Sequence, residues 1–185
     1  HVGAVQVFEL PADAPKDYLL KLVAEFKQAP VVTPFNQHPV FPRLGRPEWQ
    51  VDEDLEIDYH VRHSAVPRPG NNQQLMEVVQ RLHAGLLDRR RPGWICQVIE
   101  GLEHNRFAIY TKIHHAYIDG MSGVKRMYGS LSSSPADDKV VPTWSFDPGQ
   151  ATSSGVQKRA GISMAKRSRA LASQAWGMVE AAEML

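Results

Sequence analysis

The sequence predicts an α/β fold, a two-layer sandwich built on a mixed sheet, and three observations predict it. Short apolar runs with the spacing of strands alternate with amphipathic helical segments, giving the order strand, helix, strand, helix, strand, strand, helix. Proline, glycine and asparagine mark most of the boundaries between them. The last two apolar runs are separated by only a few residues, which calls for an antiparallel hairpin within a sheet that the helical crossovers would otherwise make parallel. At 185 residues, 43% of them hydrophobic, the chain can enclose one sizeable core.

Each element has its own justification. Val2 to Leu10 alternates apolar with other residues through Val5 and Val7, as a half-buried strand does, and Pro11 ends it. From Pro15 to Gln28, Leu19, Leu20, Leu22, Val23 and Phe26 recur at helical spacing while Lys16, Lys21, Glu25 and Lys27 face outward. Residues 30 to 50 hold Pro30, Pro34, Pro39, Pro42 and Pro47, which forbids long regular elements and predicts an ordered, meandering loop. Leu55 to Arg62 alternates strictly and reads as a strand with one wet face, before Pro67-Arg68-Pro69-Gly70 turns the chain. Asn71 or Asn72 caps a helix that buries Leu75, Met76, Val78, Val79, Leu82, Leu86 and Leu87. Trp94 to Ile99 and Phe107 to Ile113 form the hairpin, and a further helix is expected over about Gly123 to Leu131. The tract Ser132 to Asp138 then breaks it and is expected to be mobile.

Composition removes several classes of function. Lys and Arg number 21 against 20 Asp and Glu, a net charge of +1, so the excess of cations that duplex nucleic acid demands is missing. The single cysteine, Cys96, lies in an apolar run with no basic neighbour, which makes it a core residue and rules out an intrachain disulfide. A reducing, cytoplasmic setting is expected. No apolar run approaches the roughly 20 residues needed to cross a bilayer, and the first residues lack the basic-then-apolar order of a secretory signal. His60 and His63 lie three apart on the expected strand, on opposite faces, and make an unconvincing metal pair.

The string that carries chemistry is His114-His115-Ala116-Tyr117-Ile118-Asp119-Gly120, where a predicted core strand runs out into a loop and a helix. Imidazole, with an unperturbed pKa of about 6.5, keeps a nitrogen free at neutral pH to take a proton from an attacking hydroxyl. Adjacent strand residues face opposite sides, so one histidine is expected to face a cleft and the other the packing. Asp119 can pin the loop, and Gly120 gives the backbone freedom to turn where a side chain would obstruct it. A metal at His115 and Asp119 would have too few ligands. The plainer reading of any one of these histidines is a structural residue beside an Asp-Gly turn; the whole string favours the catalytic one.

His-His-x-x-x-Asp-Gly resembles the signature of chloramphenicol acetyltransferase-like acyltransferases and of peptide-synthetase condensation domains. The flanks resemble, more narrowly, bacterial wax ester synthase/diacylglycerol acyltransferases: His1-Val2-Gly3, the turn Pro67-Arg68-Pro69-Gly70, the segment Leu87-Asp88-Arg89-Arg90-Arg91-Pro92-Gly93-Trp94, and Ile99-Glu100-Gly101-Leu102 stand in that family's order. The likeness covers roughly residues 1 to 145. It implies a chloramphenicol acetyltransferase-like half, an N-terminal acyltransferase domain over 1–145, with 146–185 as a linker and basic amphipathic helix leading toward a C-terminal domain. It further implies an O-acyltransferase that moves a fatty acyl group from acyl-CoA to a long-chain alcohol or a diacylglycerol, without a cofactor. His115 would be the general base, His114 would support it, and Asp119 would hold the motif in shape, commonly through an arginine. The C-terminal half of the same enzyme would close the site.

The same segment supplies candidate substrate contacts in Trp94, Arg90 and Arg91. Arginine suits the phosphates of CoA, although a solvated turn after a helix explains these arginines more plainly. One departure stands out: Gly93 occupies the place of leucine in the family's Pro-Leu-Trp, losing an apolar side chain near the expected acyl path. Lys158, Arg159, Lys166, Arg167 and Arg169, beside an apolar side with Trp176, suit either an anionic membrane or lipid-droplet surface or an interdomain helix. Two alternatives remain open at this point, a condensation-type enzyme using carrier-bound acyl groups and a non-catalytic lipid-binding module.

Overall fold

The computed structural model describes residues 1–132, 134 and 140–147. The basic stretch 157–185, and most of the tract expected to be mobile at 132–138, lie outside the described residues. His1–Phe146 forms one compact unit.

Its centre is a four-stranded mixed sheet. β1 (Val2–Glu9), β4 (Val61–Ala65), β5 (Trp94–Leu102) and β6 (Arg106–Ile113) lie in the order β1-β6-β5-β4. β6 runs antiparallel to both of its neighbours, with Ile113 opposite Val2 on one side and Trp94 on the other. β4 is parallel to β5, Val61 lying opposite Cys96. The β5–β6 hairpin is the expected one, and its turn places His104 and Asn105 at φ 59° and 55°, a left-handed conformation in which Asn and His are enriched.

Helices take up the two faces because strand residues alternate between them. α3 (Asn72–Ala84) buries Leu75, Val78 and Val79 against Ile99, Leu102, Ala108 and Tyr110. α1 (Tyr18–Gln28) buries Leu19, Val23 and Phe26 in the other cluster, with Val61, Trp94, Cys96, Val98, Phe107 and Ile113. The predicted cap of α3 is a capping box: the Asn71 side chain accepts from the Gln74 amide at 2.9 Å, and the Gln74 side chain accepts from the Asn71 amide at 3.1 Å. Gly70, at φ 80°, supplies the left-handed turn before it.

The structure corrects four local expectations. The proline-rich stretch contains a small hairpin, β2 (Gln37–Val40) against β3 (Glu48–Val51), with Pro39 opposite Trp49. Strands of four residues are short enough to fit between the prolines, and a two-stranded ribbon has only edges, where proline is tolerated. The alternation at 55–62 is not one strand: Ile57–His60 is a helical turn, α2, and β4 begins at Val61. The turn directs His60 into the core, where it is completely buried and stacks on Trp94 with ring centroids 4.4 Å apart; a polar residue on the wet face of a strand would not do this. Helix α3 stops at Ala84, so Leu86 is 90% exposed rather than buried. α4 spans Gly120–Gly129, starting earlier than expected because Asp119 caps it.

Candidate active site

The motif leaves the sheet at the end of a central strand. After Ile113 the His114 amide donates to the Gly93 carbonyl at 2.7 Å, and the chain turns at once, with the Tyr117 amide donating back to the His114 carbonyl at 3.0 Å. Strand alternation therefore no longer applies at the two histidines. Both are exposed, and the expected division between one facing a cleft and one facing the packing is not found. His115 makes no hydrogen bond to any described residue. The His114 ring turns back on its own loop and receives the Ala116 amide on Nδ1 at 3.2 Å, an arrangement that assigns the ring proton to Nε2.

Asp119 serves as the N-cap of α4, its Oδ1 accepting from the Ser122 amide at 2.7 Å. Those amide contacts hold its carboxyl below the ordinary aspartate range, with a smaller contribution from the nearby Lys125 charge. No arginine forms an ion pair with Asp119 among the described residues; the contact that holds its carboxylate there is the cap itself. Gly120 does not meet its expectation either. Its backbone is not left-handed, and a Cβ built there would have open space around it, so nothing in the described residues obliges glycine.

Tyr117 is the residue that sequence reasoning missed. It is one of the unspecified positions of the motif, yet it is buried and its hydroxyl donates to the Gln37 carbonyl of β2 at 2.8 Å. Its ring meets Trp49 of β3 edge to face, with centroids 4.8 Å apart. It also explains Gly93. A Cβ on Gly93 would stand 2.7 Å from Cε2 of Tyr117 and 3.0 Å from Cβ of His114, so the tyrosine ring occupies space that a side chain at 93 would claim. The apolar group missing at 93 is thus made good from the motif itself. The only sequence signal was the coincidence of a large residue at 117 with a missing one at 93.

The candidate substrate contacts are not available as expected. Trp94 is completely buried, donating from Nε1 to the Phe35 carbonyl at 2.7 Å and stacking between His60 and Trp144. It is a core residue and offers no surface to a ligand. Arg91 donates to Glu56 at 2.8 Å and lies over the Tyr59 ring, and Arg90 pairs with Asp88 at 3.3 Å. Both line a recess shared with Asp52, Asp54, Glu56 and Asp88; four carboxylates around two arginines make a poor seat for phosphate. Elsewhere His63 pairs with Glu100 at 3.2 Å while His60 donates to the Trp94 carbonyl at 2.7 Å, so these histidines have separate structural roles. Cys96 is buried and its thiol is pushed up to about 12 by that burial, which removes it as a nucleophile.

Lys112, two residues before the motif, is a second missed residue. It is 1% exposed, and its ammonium donates to the carbonyls of Leu82 at 2.8 Å, His83 at 3.2 Å and Gly85. It closes the C-terminal end of α3, where unpaired carbonyls accumulate and a cation is favoured. Burial pulls its pKa below the ordinary lysine value. A lone lysine inside an otherwise apolar strand was the available signal.

The comparisons with known proteins agree on one family. The sequence model described as the wax ester synthase/diacylglycerol acyltransferase catalytic domain matches residues 1–185. A protein of Mycobacterium tuberculosis named a probable diacylglycerol O-acyltransferase is 43% identical over 154 residues, covering 80% of this chain and 33% of its own length. The O-acyltransferase WSD of Acinetobacter baylyi is 39% identical over 146 residues, covering 78% of this chain and 31% of its own. Among solved structures, the wax ester synthase/diacylglycerol acyltransferase of Marinobacter aquaeolei VT8 superposes with a TM-score of 0.72 at 36% identity, over 91% of this chain and 39% of that one. The first condensation domain of the calcium-dependent antibiotic synthetase, at 18% identity and a TM-score of 0.50, shares the fold alone. The chain spans about a third of the length of the curated relatives it matches.

Proposed function

The chain belongs to the wax ester synthase/diacylglycerol acyltransferase family, and from that premise we propose that it contributes the general base of an O-acyltransferase acting on acyl-CoA and a long-chain alcohol or diacylglycerol. The observation that carries the proposal is the way the motif loop is held. Its entry is fixed by the bond from His114 to Gly93, its middle by Tyr117 on Gln37, and its exit by the Asp119 cap. His115 stands between these anchors with its ring uncommitted to any described residue.

In this reading the free nitrogen of His115 takes the proton from the acceptor hydroxyl as its oxygen attacks the thioester carbonyl. The tetrahedral intermediate collapses, the C–S bond breaks, and the imidazolium returns the proton to the departing CoA thiolate. A thioester is already activated, so positioning and base catalysis suffice without a covalent enzyme intermediate; the buried, poorly acidic Cys96 is consistent with that economy. No cofactor enters; acyl-CoA is a substrate. The remainder of a family-length polypeptide supplies the rest of the site and the groups that meet the CoA phosphates, since Arg90 and Arg91 are engaged with carboxylates.

No helix among the described residues is long and apolar enough to cross a membrane. The proposal places the protein on the cytoplasmic side, peripheral to a membrane or lipid droplet where its acceptor resides. The test is thiol release from palmitoyl-CoA with hexadecanol and with diacylglycerol, using this chain within a family-length protein. His115→Ala is expected to lower the rate by about 10²–10⁴-fold; an undiminished rate would end the assignment.

A further inference from the structure

We propose that the tip of the β2–β3 hairpin, residues 41–47, docks on an anionic lipid surface, with Phe41 and Leu44 entering the acyl region and Arg43 and Arg46 meeting headgroup phosphates. The tip reads Phe41-Pro42-Arg43-Leu44-Gly45-Arg46-Pro47, and every residue of it is exposed. Leu44 is 92% exposed and Phe41 65%, the first the most exposed large apolar residue described in the chain. Neither Arg43 nor Arg46 has an acidic partner within ion-pair distance among the described residues, in contrast to Arg90 and Arg91.

Charge decides the occupant. A protein interface that covered Phe41 and Leu44 would also desolvate two arginines and would have to provide a carboxylate for each. A lipid surface asks for no such matching: its phosphates are anionic and wet, and arginine lays its alkyl stem along apolar surface while its head stays in the headgroup layer. Two apolar side chains and two cations make a marginal, reversible anchor rather than a permanent one, which suits a protein that must also meet water-soluble acyl-CoA.

The hairpin also connects such a surface to the motif. Trp49 of β3 packs on Tyr117, and Gln37 of β2 accepts the Tyr117 hydroxyl. Trp49 lies three residues from Arg46, about 10 Å of extended chain. A surface at the tip would therefore bring a lipid acceptor close to the loop that carries His115; that link to an acceptor, unlike the docking itself, rests on the acyltransferase reading.

The test uses the 185-residue chain and needs no turnover. Cys96 is buried with a thiol pushed up to about 12, so Leu44→Cys provides a single reactive site for an environment-sensitive fluorophore. The emission is expected to shift to the blue on vesicles of phosphatidylcholine with phosphatidylglycerol, and much less on phosphatidylcholine alone. Arg43→Gln and Arg46→Gln should each weaken partition about fivefold, and Phe41→Ser by about tenfold or more. Three results would overturn the proposal: no vesicle binding; vesicle binding with an unshifted probe, which would assign attachment elsewhere, as to the basic residues from Lys158 to Arg169; or a probe already shielded without lipid in a self-associated chain. Because no acyl transfer is measured, loss of the His115 assignment and loss of this one are separate outcomes.

Discussion

Replacing Gly93 by leucine should damage this chain. A Cβ at 93 would lie 2.7 Å from the Tyr117 ring, whereas carbon atoms rest about 3.5–4.0 Å apart, so the ring must retreat by about 1 Å before the rest of the leucine is accommodated. It is not free to do so. The Tyr117 hydroxyl is bonded to the Gln37 carbonyl and the ring edge is set against Trp49. Overpacking a closed site costs about 1–3 kcal/mol, and breaking the hydroxyl bond adds about 0.5–1.5 kcal/mol. A loss of about 3 kcal/mol is expected for Gly93→Leu, read as a fall in the urea midpoint at unchanged slope. The partner substitution supplies the control. In a Tyr117→Leu background the space is vacated, and Gly93→Leu should cost at least about 1 kcal/mol less, a coupling typical of side chains in direct contact. Equal costs in the two backgrounds would refute the argument that Tyr117 fills the place of the missing side chain. On the proposed function, the same pair should couple in the acyl-transfer rate of a family-length protein, because a displacement of about 1 Å at the loop that carries the base would cost about 10²-fold.

Two further outcomes concern groups outside the motif. Burial holds the His60 imidazole below the ordinary histidine range, against the raising effect of its bond to the Trp94 carbonyl and with Arg91 lowering it further. Above about pH 6.5 the ring is neutral in the folded and the unfolded chain alike; below that, the unfolded chain takes up a proton that the folded one refuses. Stability should fall with acidification from about pH 6.5 by up to about 1.4 kcal/mol per pH unit for this proton, with His83 adding in the same direction. Urea midpoints at successive pH values should lose one proton's worth of that slope in His60→Gln, and an unchanged slope would refute the assignment. Lys112→Met should cost about 2 kcal/mol, because the carbonyls of Leu82, His83 and Gly85 lose their shared donor inside the fold; hydrogen exchange should rise first in the last turn of α3. A neutral result would mean that water replaces the ammonium.

Much of the fold was legible in the sequence because its signals are local. The helical spacing of Leu19, Val23 and Phe26, the cap at Asn71 and the paired runs at 94–99 and 107–113 each reflect backbone geometry within a few residues, and each reappears in the structure. The alternation at 55–62 misled for the same reason: period-two patterning records which residues are apolar, not what they pack against. The pattern put His60 and His63 on opposite faces of one strand without saying which was covered; Trp94, distant in sequence, gives His60 a ring to stack on. At the site, the string from His114 to Gly120 could be read directly, but the functions assigned to Trp94, Arg90 and Arg91 could not. Whether an arginine is free depends on where Glu56 and Asp88 come to lie, and whether a tryptophan is accessible depends on Trp144 and Phe35.

Local pattern was enough for the α/β class, the order of the principal elements and the position of the histidine pair at the end of a strand, because strand period, helix period and turn chemistry are short-range properties of the chain. It took the assembled fold to show that Tyr117 fills the place of a side chain at Gly93, that Lys112 closes a helix thirty residues upstream, and that the 41–47 tip stands exposed while tied to the motif through Trp49. Those are contacts between distant segments, and steric fit and charge pairing exist only once the segments have met.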